Sequence, residues 1–230
     1  ELEAQVKDWL QQGYAASTIR HRLSALSSLY VELDGKRAFN PVATVEPPPE
    51  PTATPNATSG ENVVQTLTSF KARVTRHNRG WKTYARCQVM ALTGMRHSQV
   101  GRLTREDIWL EHDPPFVIVN RPGKRGKSHS KPLTAEGVEA FRLFIVVDAF
   151  GKFSSSALYK SWKLTCEQCG VPFFYPYQFR HTWATTLRAG GMDLADVQES
   201  LGHTSPKTTA RYAMVATSKL VAAGSILDKA

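Results

Sequence analysis

Most side chains capable of chemistry in this chain fall within one stretch, YQFRHTWATTLRAGGMDLADVQESLGHTSPKTTARY, from Tyr177 to Tyr212. It holds Tyr177, Arg180, His181, His203, Arg211 and Tyr212, and a further arginine, Arg96, stands in the turn-like ALTGMRHSQV. Guanidinium groups hold an oxyanion through paired, charge-assisted hydrogen bonds. A phenol can serve as a covalent nucleophile, and an imidazole can hydrogen-bond the charge that develops. The chain carries a formal net charge of +9 and a pI near 9.6, which points to a polyanion as the partner.

These groups need elements to hold them. The spacing predicts three short helical segments. The first runs from about Pro176 to Ala189 and stops at Gly190-Gly191. The second is DLADVQESL, with Asp193 as N-cap and Gly202 as its stop. The third begins after Ser205-Pro206 and carries Arg211 and Tyr212. Tyr177 and Arg180, three apart, share a helix face, and His203 sits just past a helix end. Upstream, Gly94 ends a helix and places Arg96 in the following turn, with Gln99, Val100 and Leu103 starting the next helical turn.

The order and spacing of these residues resemble the tyrosine recombinase (phage integrase) family. That family reads H-x-x-R-H-T-x-A-T, then L-G-H, then a tyrosine nine residues past the histidine. The counterparts here are YQFRHTWAT, Leu201-Gly202-His203 and Tyr212. The segment around Arg96 resembles the family's first motif, T-G-x-R-x-S-E followed by a hydrophobic residue. The resemblance implies a mainly helical (α+β) catalytic domain with a small three-stranded antiparallel sheet, preceded by a truncated helical DNA-clamp domain. It implies site-specific recombination of double-stranded DNA through a covalent 3′-phosphotyrosine, without metal or other cofactor. It also implies a homo-oligomer, a tetramer on paired sites that exchanges strands through a Holliday junction.

The resemblance assigns roles residue by residue. Arg96 and Arg180 hold the non-bridging phosphate oxygens, Tyr212 is the nucleophile, and His203 hydrogen-bonds the phosphate. The family's hairpin lysine protonates the leaving 5′ oxygen. Counting back from Pro132-Leu133 favours Lys124 for that role, with Lys127 as the fallback. The family histidine three before the second arginine is Tyr177 here, a hydrogen-bond donor but a poor proton acceptor near neutrality. The acidic residue three after the first arginine is Gln99. Gln99 and His181 are expected to support the site. The other readings are a DNA-binding module of the same fold that has lost cleavage, which Tyr177 and Gln99 favour, and a type IB topoisomerase-like monomer.

The remaining chain divides at EPPPEPTATPNATSG, whose five prolines read as an extended linker. The expected domains are therefore 1–45, the end of the clamp domain; 46–59, the linker; and 60–230, the catalytic domain. Residues 1–33 predict two helices, and Arg20 and Arg22 on the second read either as a solvated basic face or as DNA contacts. Helices are expected over 61–77 and 81–93, where Lys71, Arg73, Arg76, His77, Arg79 and Lys82 form a basic cluster that is either solvated or set against phosphate. Residues 107–133 predict strands joined by a basic hairpin, and 134–170 two helices, the first reaching Phe150. The segment after Tyr212 predicts a short helix that packs on a neighbouring protomer or folds back.

Three cysteines make no disulfide framework, and Cys166-Glu-Gln-Cys169 has no second pair to complete a zinc site. They imply a reducing, cytoplasmic setting, and the family resemblance implies association with the nucleoid. No apolar run reaches membrane-spanning length. The first residue is not Met, and the opening helices are too few for a core of their own, so a piece of a longer protein is expected.

Overall fold

A computed structural model of the 230-residue chain describes residues 1–49, 57–119 and 128–202. The chain divides into two compact units, Glu1–Ala53 and Thr54–Ala230.

The first unit is built on α1 (Leu2–Gln11) and α2 (Ala16–Asp34), followed by a 3₁₀ turn at Pro41–Thr44. Val6, Ile19, Leu23, Val42 and Val45 form its small core. The Asn40 side chain accepts from the Val42 N–H and donates to Ser27, tying that turn back to α2. Arg22 stacks over the rings of Trp9 and Tyr14, and Arg20 donates to the Pro48 carbonyl at 2.6 Å. Both arginines thus have work inside their own unit.

In the second unit, α3 (Gly60–His77) starts on a Ser59 cap, and α4 (Trp81–Thr93) runs between left-handed glycines at 80 and 94. The short α5 (His97–Val100) leads through a 3₁₀ turn at Arg105–Asp107 to an antiparallel sheet of β1 (Ile108–Trp109), β2 (Phe116–Val119) and β3 (His129–Pro132), in that order. Val117 pairs with Lys131 and Val119 with His129. The helices α6 (Ala135–Val146), α7 (Ser155–Cys169), α8 (Gln178–Ala189) and α9 (Leu194–Leu201) follow. The first of these stops at Val146, short of the expected Phe150, because Val147 caps it and Asp148 takes a left-handed turn at φ 51°. This is the predicted fold class: mainly helical, with one small sheet.

Trp162 of α7 is fully buried between Phe70, Phe174 and Phe179, with its ring 4.8 Å from that of Phe179. Burial of aromatics on this scale fixes the rotation of a helix about its axis. With Phe179 seated in the core, α8 presents the adjacent Arg180 to the end of α4. A second apolar cluster, Ala184, Val197 and Leu201, holds α9 to α8. Cys87 and Cys166 are buried free thiols and Cys169 is half-buried; burial pushes the Cys87 thiol well up. Among the described residues no helix is long and apolar enough to cross a membrane, and no group of three His, Cys, Asp or Glu is placed to hold a metal.

Gly94 is the tightest joint. Its φ is +64°, and a Cβ built there would lie 2.8 Å from Cε3 of Trp183. The Trp183 indole N–H donates to the Leu92 carbonyl at 3.1 Å, so the ring is anchored and cannot swing aside. Gly94→Ala is expected to lower unfolding stability by about 2 kcal/mol or more, from backbone strain plus overpacking. A fall in the urea midpoint measures it; an unchanged midpoint would show that α8 can shift freely.

Candidate active site

Arg180 is 3% exposed and bridges two elements. Its Nη1 donates to the Gly94 carbonyl at 2.8 Å and its Nη2 to the Leu201 carbonyl at 2.5 Å. One acceptor closes α4 and the other closes α9, so the guanidinium caps two helix C-termini, where carbonyls lack intrahelical partners. Arg96 enters from the other side of the Gly94 turn as the N-cap of α5. Its backbone N–H donates to Oε1 of Gln99 at 2.8 Å. A glutamine carbonyl serves this bond as well as a carboxylate would, which explains how Gln99 can occupy the position. His97 adds a second tie, through Nε2 to the Phe153 carbonyl at 2.9 Å.

Arg96 and Arg180 line one cleft of about 260 Å³ together with Tyr177, Tyr175 and Tyr159. The Tyr177 side is open: the residue is 58% exposed, with its ring edge-on to His181 at 5.3 Å. His181 itself is buried. Gln178 repeats the Gln99 device, its Oε1 accepting the Tyr175 N–H at 2.7 Å and so fixing the approach to α8. The result is a positively charged cleft with an open mouth, suited to an anion held by two arginines.

A pattern for the phage integrase family matches residues 60–219, most of the chain. The chain belongs to the phage integrase family.

Among its relatives, the tyrosine recombinase XerC of Herpetosiphon aurantiacus is 27% identical over 231 residues, covering 92% of this chain and 73% of that one. The tyrosine recombinase XerD of Rhizobium meliloti is 26% identical over 243 residues, covering 96% and 77%. Among solved structures, the XerH site-specific recombinase bound to palindromic difH substrate superposes with a TM-score of 0.73 at 20% identity, covering 98% of this chain and 72% of that one. The Tn1549 transposon integrase with transposon right-end DNA gives 0.69 at 17% identity, covering 92% and 79%. The chain is a tyrosine-type site-specific recombinase acting on DNA, and the binding-only and topoisomerase-like readings are not favoured.

Within this recombinase, the structure brings Arg96, Gln99, Tyr177, Arg180 and His181 to one place. Lys124, Lys127, His203 and Tyr212 lie outside the described residues, as do Arg211 and the tail. Of the expected DNA-contact residues, Lys71 and Arg76 are exposed on α3, while Lys82 pairs with Asp148 at 3.3 Å. Arg73 of the same basic cluster turns inward to Ser161 and stacks over Phe70.

Three supporting residues escaped the sequence reading. Gln178 and Trp183 could have been flagged by their place beside Arg180. Lys131 lies on the inward face of β3, 4% exposed, its ammonium 4.3 Å from the Trp183 ring and donating to the Ser200 carbonyl. Burial, and secondarily the nearby Arg180 charge, lowers its pKa to about 7.

If the Gln99 bond positions Arg96, Gln99→Leu should slow cleavage about tenfold, the worth of one lost hydrogen bond to a half-buried N–H. Gln99→Glu should stay near the parent rate. Single-turnover cleavage of a nicked substrate checks both, and equal rates for the leucine and glutamate variants would remove Gln99 from the site.

Proposed function

We propose that this recombinase cleaves DNA by attack of the Tyr212 phenolate oxygen on phosphorus, with Arg96 and Arg180 holding the non-bridging oxygens. The Oη–P bond forms as the P–O5′ bond breaks, leaving a 3′-phosphotyrosine and a free 5′ hydroxyl. Lys124 gives its proton to the departing 5′ oxygen, and Lys127 is the alternative donor. The phenolic proton passes to solvent, because Tyr177 in the usual histidine's place is a poor base near neutrality. Tyr177 instead donates a hydrogen bond at the cleft mouth, and His203 donates to the phosphate as charge builds. Attack by a 5′ hydroxyl of the partner strand reverses the chemistry without ATP.

The observation that carries this reading is the convergence of Arg96 and Arg180, from distant parts of the chain, on one open cleft. The paired guanidiniums match the geometry of a phosphodiester better than two lysines would. Arg20, Arg22, Lys71, Arg76 and Lys82 are proposed to add backbone contacts along the duplex. Residues 1–45 are proposed to belong to a clamp domain, 46–59 to a linker and 60–230 to the catalytic domain. The working assembly is proposed to be a homotetramer on two paired sites, acting in the cytoplasm on the nucleoid.

Covalent trapping tests the mechanism. Nicked suicide substrates, tiled across DNA flanking the gene, should yield a protein–DNA adduct whose peptide maps to Tyr212. An adduct on another residue overturns the assignment. Specific binding with no adduct on any tile would restore the cleavage-dead reading.

A further inference from the structure

We infer that Lys131 is a positioning residue for the phosphate clamp, its ammonium fastening β3 to the last turn of α9 and so holding the Leu201 carbonyl against Arg180. The inference rests on the clamp reading of Arg180 given above. Two consecutive carbonyls at the end of α9 are capped by two cations from different elements. Ser200 accepts from Lys131 on β3, and Leu201 accepts from Arg180 on α8. Trp183 lies between these elements, one face of its ring toward Lys131 and its body against Gly94. β3, α8, α9 and the Gly94 turn that leads to Arg96 therefore meet around one lysine and one tryptophan.

Stability alone does not account for a lysine here. Lys131 faces inward with Val117 and Val119, and an apolar residue at such a position avoids the cost of burying a charge. A buried ammonium stays favourable only with compensation, supplied here by the Ser200 carbonyl, the negative end of α9 and the indole face. Described titratable or charged groups on the surrounding elements are Arg180, His181 and Arg188 on α8, the last donating to the Met192 carbonyl, and His129 on its own strand; Asp196 and Glu199 of α9 are exposed. Burial disfavours the charged amine, and the Arg180 charge adds to it, so the pKa is lowered to about 7. Below that pH the ammonium grips the Ser200 carbonyl and the ring; above it the cation–π contact is lost and the hydrogen bond is no longer charge-assisted.

The test compares the parent chain with Lys131→Met and Lys131→Arg in single-turnover cleavage from pH 6 to 9. Melting temperature and DNA affinity are measured in parallel. Lys131→Met is expected to melt no lower than the parent, to bind DNA equally, and to cleave about tenfold or more slowly, as misplaced catalytic groups do. The parent should lose rate as pH rises through about 7. That limb should vanish in Lys131→Met and in Lys131→Arg, whose guanidinium stays charged and restores much of the rate. An unchanged rate in Lys131→Met, or one that falls only in step with melting temperature, overturns the inference.

A 5′-bridging phosphorothiolate, whose sulfur leaves without a proton, separates positioning from acid catalysis. Rescue of Lys131→Met by this substrate would make Lys131 the proton donor and overturn the positioning role; no rescue supports it. Should the parent chain not cleave at all, the mechanism proposed above fails, and amide exchange without DNA still decides for Lys131. Faster exchange at the end of α9 in Lys131→Met, but not in Lys131→Arg, supports the fastening, and identical exchange overturns it.

Discussion

Tyr212→Phe is expected to eliminate the covalent protein–DNA product while leaving folding and DNA affinity as they are. The substitution removes one oxygen and keeps the ring, so whatever packing the side chain makes is retained. The proposed mechanism has no substitute for that oxygen. Loss of a catalytic nucleophile costs on the order of 10⁶ in kcat where it has been dissected, which puts the product below detection. Gel-shift affinity and the urea midpoint should match the parent. A variant that still forms an adduct would place the nucleophile elsewhere in the chain. Loss of the adduct together with reduced affinity would implicate the phenol in binding instead.

Arg180→Ala is expected to fail differently, losing both rate and stability. Removing one preorganised donor from a developing oxyanion costs on the order of 10² to 10³ in rate. The structure adds a second loss, because the Gly94 and Leu201 carbonyls both depend on this guanidinium. Leaving a buried acceptor without its donor costs about 1–3 kcal/mol. The urea midpoint should therefore fall along with single-turnover cleavage. Arg180→Lys keeps a charge but cannot span two carbonyls and a phosphate with one ammonium, so it should recover some stability and little rate. An alanine variant of full stability would mean that the two carbonyl bonds contribute nothing net.

Much of this site can be read from spacing, and what cannot has a common cause. Helix stops at Gly94 and Gly202 and the Asp193 cap are local signals, and the structure places helix ends there. The first helix of the long motif begins at Gln178, with Tyr177 as its N-cap. Arg73 and Lys82 looked like one basic cluster, yet their partners, Ser161 and Asp148, stand far along the chain. No local pattern announces such partners. Lys131 was hidden because a lysine beside a basic loop reads as surface. Counting in twos from the inward Leu133 would have placed it inside. The end of α6 was overrun because Val146 and Val147 continue its apolar pattern, while the left-handed turn at Asp148 carries no glycine to mark it.

The hydroxyl of Thr182 donates to the Thr58 carbonyl at 3.0 Å, closing a loop of 124 residues. On a ribosome adding about 5–20 residues per second, α3 therefore waits roughly 6–25 s for α8 to be made. Arg96 emerges long before its partner arginine, and the cleft has one wall until α8 and α9 follow. A nascent or prematurely terminated chain would carry the basic surface of α3 without the paired arginines. On the proposed mechanism, such a chain could touch DNA but could not hold a phosphate for attack. The order of translation thus delays the power to break a strand until nearly all of the fold that must reseal it exists.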